Sequence, residues 1–189
     1  MMKTRSATYR LVLTAVLLAV GMVLPFLTGQ IPSIGQAISP LHIPVLICGL
    51  TCGWGWGLAL GVVLPLLRSV VFGMPPLVAV AVPMAFELAV YGALTGLLYP
   101  LMIRLIKNRS HLPAMLAAMV IAMVAGRLVG GAAKAIVMGL TGGSYTLAAF
   151  MTGYFVSTAV GAVIHLILVP AVTLALEKAR LSPAVAPNA

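Results

Sequence analysis

Long apolar runs follow one another through almost the whole of this 189-residue chain. A run of about 20 such residues crosses the hydrocarbon of a bilayer as a helix. Charged residues make up only 7% of the chain, whereas soluble domains carry about 25%. A soluble fold of this length lacks the interior to bury so much apolar surface. The sequence therefore predicts an all-α integral membrane protein.

Glycine, proline and polar residues divide the chain into six predicted transmembrane helices. The run over residues 41–72 is too long for one helix, and Gly53, Gly55 and Gly57 divide it into two short ones. The predicted helices are 9–28, 41–53, 56–72, 77–103, 113–139 and 147–176. The predicted organisation is a cytoplasmic N-terminus over 1–8, a six-helix membrane domain over 9–178 and a disordered C-terminal tail over 179–189.

The net charge of +9 comes from basic residues at the ends of apolar runs. This placement argues against a nucleic-acid partner, which needs a polar basic face. With six helices, eight of the eleven Lys and Arg residues fall in, or within two residues of, the two termini and the 104–112 loop. Basic loops favour the cytoplasm, so both termini are predicted to lie there. Cys48 and Cys52 are interpreted as small buried residues, and no ligand cluster indicates a metal.

Three ionisable residues lie deep inside predicted helices, where a charge costs about 3 kcal/mol. Measured by helix rise from the external ends, Glu87 lies about 15 Å deep, Arg127 about 18 Å and Lys134 about 8 Å. Together they carry a formal charge of +1, which a monoanionic ligand would neutralise. An internal Glu87–Arg127 ion pair that only holds the helices together is the alternative interpretation.

Hydroxyl groups are expected at a similar depth. Tyr91 follows Glu87 by four residues and so shares its face, and Tyr154 shares a face with Ser157 on the sixth helix. Ser157 is expected about 15 Å from the external surface. The sequence therefore predicts a small polar cavity, open to the outside, between helices four, five and six.

Other polar residues receive less specific interpretations. His165 is expected about 27 Å along the sixth helix, near the inner face, as a packing residue. His42 is expected at the external end of the second helix, where it contacts the 29–40 loop. Arg68 is interpreted as an interfacial or gate residue.

Several segments resemble one family of transporters. Ala15 and Ala19 form a small-xxx-small pair on the first helix, which permits close helix contact in lipid. Ser39-Pro-Leu-His-Ile-Pro-Val begins the second helix, and Gly73-Met-Pro-Pro-Leu follows the third. With the Met84–Tyr99 segment, these features resemble the substrate-binding (S) components of energy-coupling factor (ECF) transporters. These are small six-helix proteins of bacterial cell membranes that capture vitamins and are not enzymes.

The resemblance implies partners and site residues. Ala15 and Ala19 would dock on a membrane scaffold subunit that carries two ATPases, since the chain has no nucleotide motif of its own. The vitamin would lie in the outer halves of helices four to six, with no cofactor or metal. The implied contacts are Glu87, Tyr91, Arg127, Lys134, Tyr154 and Ser157. The +1 charge favours pantothenate, while riboflavin, niacin and other carboxylated vitamins stay open.

Two other functions are weighed against vitamin binding. An intramembrane serine protease would need a histidine within about 3 Å of its nucleophile. Ser144 and Ser157 are both expected too far from His165 for that. A self-sufficient proton-coupled carrier could use Glu87 and His165, but the internal repeats common in such carriers are not evident.

Overall fold

The structure of the protein is a computed structural model that describes residues 7–27, 37–106, 111–179 and 181. Helices α1 to α6 cover Ala7–Leu27, His42–Cys52, Trp54–Phe72, Leu77–Ile106, Leu112–Leu140 and Leu147–Lys178. The six predicted helical segments are confirmed to within a few residues. Among the described residues, five helices are long and apolar enough to span a membrane, and α2 is a shorter apolar helix. The fold is an all-helical one consistent with an integral membrane protein.

Two of the helices contain π-helical turns. In α4 the turn is Leu77–Ala81, followed by the α-helix Val82–Ile106. In α6 the turn is Thr152–Val156, between the α-helices Leu147–Met151 and Ala159–Lys178. Leu77 and Leu147 mark one end of the bundle, called here the cavity end. The end that contains the α4–α5 connection is called the opposite end.

Helix α2 forms the packed centre of the bundle. All of its 11 residues are buried, and it contacts α1, α3, α4 and α6. At 1.5 Å per residue it is about 16 Å long, roughly half the thickness of the hydrocarbon layer. The second predicted helix therefore exists, but it is a core element enclosed by its neighbours. The irregular backbone that precedes it is tolerated because it packs against protein or borders a cavity.

The break between α2 and α3 is sharper than the glycine pattern predicts. Gly53 alone separates the two helices, with a φ of +96° that side chains disfavour. Helix α3 begins at Trp54, and Gly55 and Gly57 lie inside it. A Cβ on Gly57 would come within 2.5 Å of the carbonyl oxygen of Gly92. Gly57 and Gly92 therefore let α3 and α4 meet at backbone distance, as small residues do in membrane bundles.

The outer surface of the bundle is apolar, and α1 contributes much of it. Leu11, Val16 and Val23 are exposed on α1. At the opposite end, the hydroxyl of Tyr9 donates to the carbonyl oxygen of Leu181 at 2.9 Å, which ties the start of α1 to the chain after α6. An apolar surface of this kind suits a lipid environment.

Some sequence predictions fall outside the described residues. These are most of the N-terminal segment 1–8, the greater part of the first loop, the centre of the 104–112 loop and most of the tail 179–189. The cytoplasmic position of both termini stays a prediction.

Candidate functional site

A cavity of about 490 Å³ opens at the cavity end of the bundle. Its wall combines two cations, one carboxylate and several aromatic or proline rings, contributed by α1–α6 and the connecting segments. The lining residues are Pro25, Ser39, Pro40, Leu41, His42, Arg68, Met74, Pro75, Pro76, Val80, Pro83, Met84, Glu87, Lys134, Tyr145, Ala149, Gly153, Tyr154 and Thr158.

Both π-helical turns border this cavity. Val80 belongs to the turn in α4, and Gly153 and Tyr154 belong to the turn in α6. An extra residue per turn displaces the helix surface and rotates the following side chains, and such turns are frequent at functional sites. Here both turns contribute residues to the cavity wall.

Glu87 is the centre of a buried polar cluster in the cavity wall. The Tyr91 hydroxyl donates to Glu87 Oε1 at 3.0 Å, and His42 Nε2 lies 3.5 Å from the same oxygen. The His42 ring also meets the Tyr91 ring edge-on, with centroids 5.2 Å apart. Because Glu87 is only 7% exposed, these partners replace the water that the carboxylate loses.

Two glycines of α5 make room for this cluster. A Cβ on Gly126 would overlap the Tyr91 ring, and one on Gly130 would lie 2.7 Å from the Glu87 Cβ and 3.1 Å from Tyr154 Cε1. The close approach of α4, α5 and α6 around Glu87 therefore depends on the absence of side chains at these two positions.

Lys134 reaches the cavity from α5. Its ammonium group donates to the carbonyl oxygen of Ala79 in the α4 turn, and the side chain is half-buried. Neither ion pair in the described residues involves Lys134. It therefore adds positive charge to the wall without forming an ion pair with a described residue.

Tyr145 lies in the connection between α5 and α6 and closes one side of the cavity. Burial raises the pKa of its phenol, and the Glu87 carboxylate raises it further. Tyr145 therefore stays protonated at neutral pH and can donate a hydrogen bond.

Three of the six predicted contact residues line the cavity: Glu87, Lys134 and Tyr154. The other three lie elsewhere in the same region. Tyr91 is behind Glu87 and almost fully buried, and the half-buried Ser157 is not part of the wall.

Arg127, the third of these, has its guanidinium 5.4 Å from the centre of the Phe155 ring. In the described part of the chain, no ion pair joins Arg127 to Glu87. The alternative interpretation of these two residues as an internal bridge is therefore not supported.

The structure corrects the expected position of His165. Its ring stacks on His42, with centroids 5.6 Å apart, so it lies next to the Glu87 cluster rather than near the inner face. Two causes explain the error. Helix α6 has 32 residues, about 48 Å of rise, and so extends well beyond a bilayer. Helix α2 also begins at mid-height, so His42 meets Glu87 rather than the surface.

Arg68 is the wall residue that sequence reasoning left without a ligand role. It is the one charged residue within α3, which is the same signal that identified Glu87 and Lys134. His42, His165 and Arg68 come together through tertiary packing, which helical spacing alone does not give.

A second acid-centred cluster lies at the opposite end. The Tyr99 hydroxyl donates to Glu177 Oε1 at 2.7 Å, and His111 Nδ1 lies 3.1 Å from Glu177 Oε2. These contacts join α4, about two turns before its end, and the last turn of α6 to the start of α5. In the described residues, no group of three or more His, Cys, Asp or Glu side chains could hold a metal ion.

The predicted partner-binding residues lie on the surface of α1. Ala15 and Ala19 are both exposed, and Ala19 borders a shallow apolar groove with Val20, Val23 and Leu24. The helix therefore presents a smooth apolar face that another membrane helix could approach closely.

One comparison with known proteins identifies a relationship. The family model described as "ECF transporter, substrate-specific component" matches residues 9–173. Comparison with curated proteins and with solved structures gives no match. The matched range includes most of α1, all of α2 to α5, most of α6 and the whole cavity wall.

Proposed function

This chain belongs to the substrate-specific components of ECF transporters, and we propose that it captures a small, negatively charged vitamin in the cavity for uptake across a bacterial plasma membrane. Proteins of this family are transport components rather than enzymes. They act with a scaffold and ATPase module that supplies the energy.

The charge of the cavity wall is the observation that carries the proposal. Arg68 and Lys134 contribute two positive charges and Glu87 one negative charge, which leaves a net charge of +1. A monoanion would neutralise this wall. The cavity volume of about 490 Å³ falls within the roughly 300–1,000 Å³ usual for small-molecule sites.

Pantothenate is the vitamin we propose first, because it combines one carboxylate with hydroxyl and amide groups. Its carboxylate would pair with a cation of the wall. Its hydroxyl or amide N–H groups would donate to Glu87, and Tyr154 would pack against its carbon chain. Tyr91 would hold Glu87 in place from behind, and Arg127 and Ser157 would support α6.

Equilibrium binding to the purified protein in lipid nanodiscs tests this proposal. We expect labelled pantothenate to bind with one site per chain, and Lys134→Met to weaken binding about tenfold. Lys178→Met, an exposed lysine in the last turn of α6, is the matched control and should bind normally. Tight binding of riboflavin or nicotinate without pantothenate binding would reject pantothenate but keep vitamin capture. No binding of any vitamin would reject the proposal.

The energising partner is proposed to dock on α1. Ala15→Leu or Ala19→Leu would place a branched side chain on the exposed face and keep α1 from close contact with a scaffold helix. We expect these variants to bind vitamin normally but to lose uptake in cells that contain the scaffold and two ATPases. Uptake in cells without that module, abolished by an uncoupler, would favour a self-sufficient carrier instead.

A further inference from the structure

Arg68 carries a buried charge in an apolar helix. The residue is 2% exposed, and its guanidinium carbon lies 5.0 Å from the centre of the Phe26 ring and 5.2 Å from that of Phe72. The two rings meet edge-on, with centroids 5.1 Å apart. A charge at such a position is costly and normally persists because it is paired or lines a functional site.

In the part of the chain that the structure describes, neither acidic side chain forms an ion pair with Arg68. The 189-residue sequence contains two acidic residues, Glu87 and Glu177. Glu87 is engaged by Tyr91 and His42, and Glu177 is engaged at the opposite end of the bundle. The cavity wall therefore carries two cations and one carboxylate, and the anionic group of a ligand is a suitable counter-charge for Arg68.

The contacts of Arg68 leave hydrogen-bonding capacity for a ligand. One terminal nitrogen, Nη1, donates to the carbonyl oxygen of Met22 in α1. A guanidinium has five N–H donors in a planar fork that matches the two oxygens of a carboxylate. Because Phe26 and Phe72 restrict the plane of the group, its orientation is set before a ligand arrives.

The location of Arg68 brings these donors to the site. Arg68 belongs to the wall of the cavity, together with Glu87 and Lys134. Lys134 differs from it in kind, since an ammonium is a point charge that cannot bind both oxygens in one plane.

We propose that Arg68 is the residue that recognises the anionic group of the transported compound, by a bidentate pair with a carboxylate. The proposal rests on the proposed function, and it narrows the substrate class to compounds with a planar carboxylate. Discrimination between an acid and its neutral analogue depends on Arg68, while Lys134 adds general attraction for anions.

Matched pairs of ligands test this assignment on the wild-type protein in nanodiscs. The pairs are pantothenate and pantothenol, nicotinate and nicotinamide, and biotin and biotinol, which differ in the carboxylate alone. Whichever acid binds, we expect its affinity to be at least about 30-fold higher than that of its neutral partner. Equal affinities for both members of the pair would overturn the role of Arg68 and leave vitamin capture intact.

Substitutions at Arg68 then test whether this residue causes the preference for the acid over its neutral analogue. Arg68→Gln should lower affinity for the acid by about 30-fold or more, and should change affinity for the neutral analogue by less than about threefold. Arg68→Lys keeps the charge without the fork, so it should recover only part of the preference. Arg104→Gln, an exposed arginine at the opposite end, should match the wild type.

The measurements also separate misfolding from loss of recognition. Retained binding of the neutral analogue shows that Arg68→Gln is folded. If this variant does not fold, the affinities of Arg68→Lys and of the wild type for the ligand pairs test the assignment instead. Equal losses for acid and neutral analogue would overturn the assignment. A wild-type protein that binds no member of the panel would contradict the proposed function, and the assignment with it.

Discussion

Glu87 and Glu177 each accept a hydrogen bond from a tyrosine of α4 and lie beside a histidine. The two tyrosines, Tyr91 and Tyr99, are eight residues apart, about 12 Å along the helix. The two clusters thus contain the same residue types at different heights of one helix. Glu87 borders the large cavity, whereas Glu177 does not.

The difference lies in the surroundings rather than in the clusters themselves. Around Glu87, Gly126 and Gly130 provide room, and Arg68 and Lys134 provide charge without a carboxylate partner. Around Glu177, the contacts join α4, α5 and α6 and complete the end of the bundle. A cluster of a glutamate, a tyrosine and a histidine can therefore serve only to hold helices together. We propose that the space and the excess positive charge around Glu87 make its cluster a binding site.

The largest expected effect comes from filling the space beside Glu87. Leucine at position 130 would displace Glu87 and Tyr154, because even a Cβ there lies 2.7 Å from the Glu87 Cβ. We expect Gly130→Leu to weaken vitamin binding by about 100-fold or more, measured by equilibrium dialysis. Gly139→Leu is the matched control on the same helix, since a Cβ at Gly139 meets nothing within 4 Å. Normal binding by Gly130→Leu would place the ligand elsewhere.

Replacing each glutamate with glutamine tests whether only the Glu87 cluster takes part in vitamin binding. Glu87→Gln should weaken vitamin binding by about tenfold, because an amide accepts hydrogen bonds less strongly than a carboxylate. Glu177→Gln should leave binding unchanged and lower the stability of the bundle by about 1–2 kcal/mol, as the Tyr99 and His111 contacts weaken. Ligand titration and thermal melting of both variants measure these effects. An equal loss of binding in the two variants would remove the distinction between the clusters.

The smallest effect is expected at Arg127. This residue stacks on Phe155 and is not part of the cavity wall. Arg127→Gln should therefore change vitamin affinity by less than about threefold, with a modest loss of thermal stability from the cation–π contact. A loss of more than about tenfold would return Arg127 to the binding site that the sequence predicts.

The sequence predicts the helices well because every helix that crosses lipid needs about 20 predominantly apolar residues. Apolar runs, glycine and proline define the six helical segments. The rare charges within them point to Glu87 and Lys134, and both line the cavity. Helical periodicity adds Tyr154, which shares the cavity wall with them.

The remaining features depend on contacts between helices that are distant in the sequence, and helical spacing does not reveal such contacts. The 11-residue run of α2 reads as a short span, but its neighbours bury it completely. Counting residues along α6 misplaces His165, because that helix is longer than the bilayer and contains a π-helical turn. Arg68 meets Met22 and Phe26 of α1 across more than 40 positions of sequence, so its ligand role emerges only from the fold.

Labelling of introduced cysteines from outside intact cells decides whether the cavity receives the ligand from the extracellular side. Ala149 lines the cavity and is exposed, whereas Arg104 is exposed at the opposite end. The native Cys48 and Cys52 are fully buried and should give little background. We predict that a membrane-impermeant maleimide labels Ala149→Cys in intact cells, that pantothenate slows this labelling, and that Arg104→Cys reacts only after permeabilisation. Labelling of Ala149→Cys only after permeabilisation, or at a rate that no vitamin changes, would contradict an outward-facing binding site.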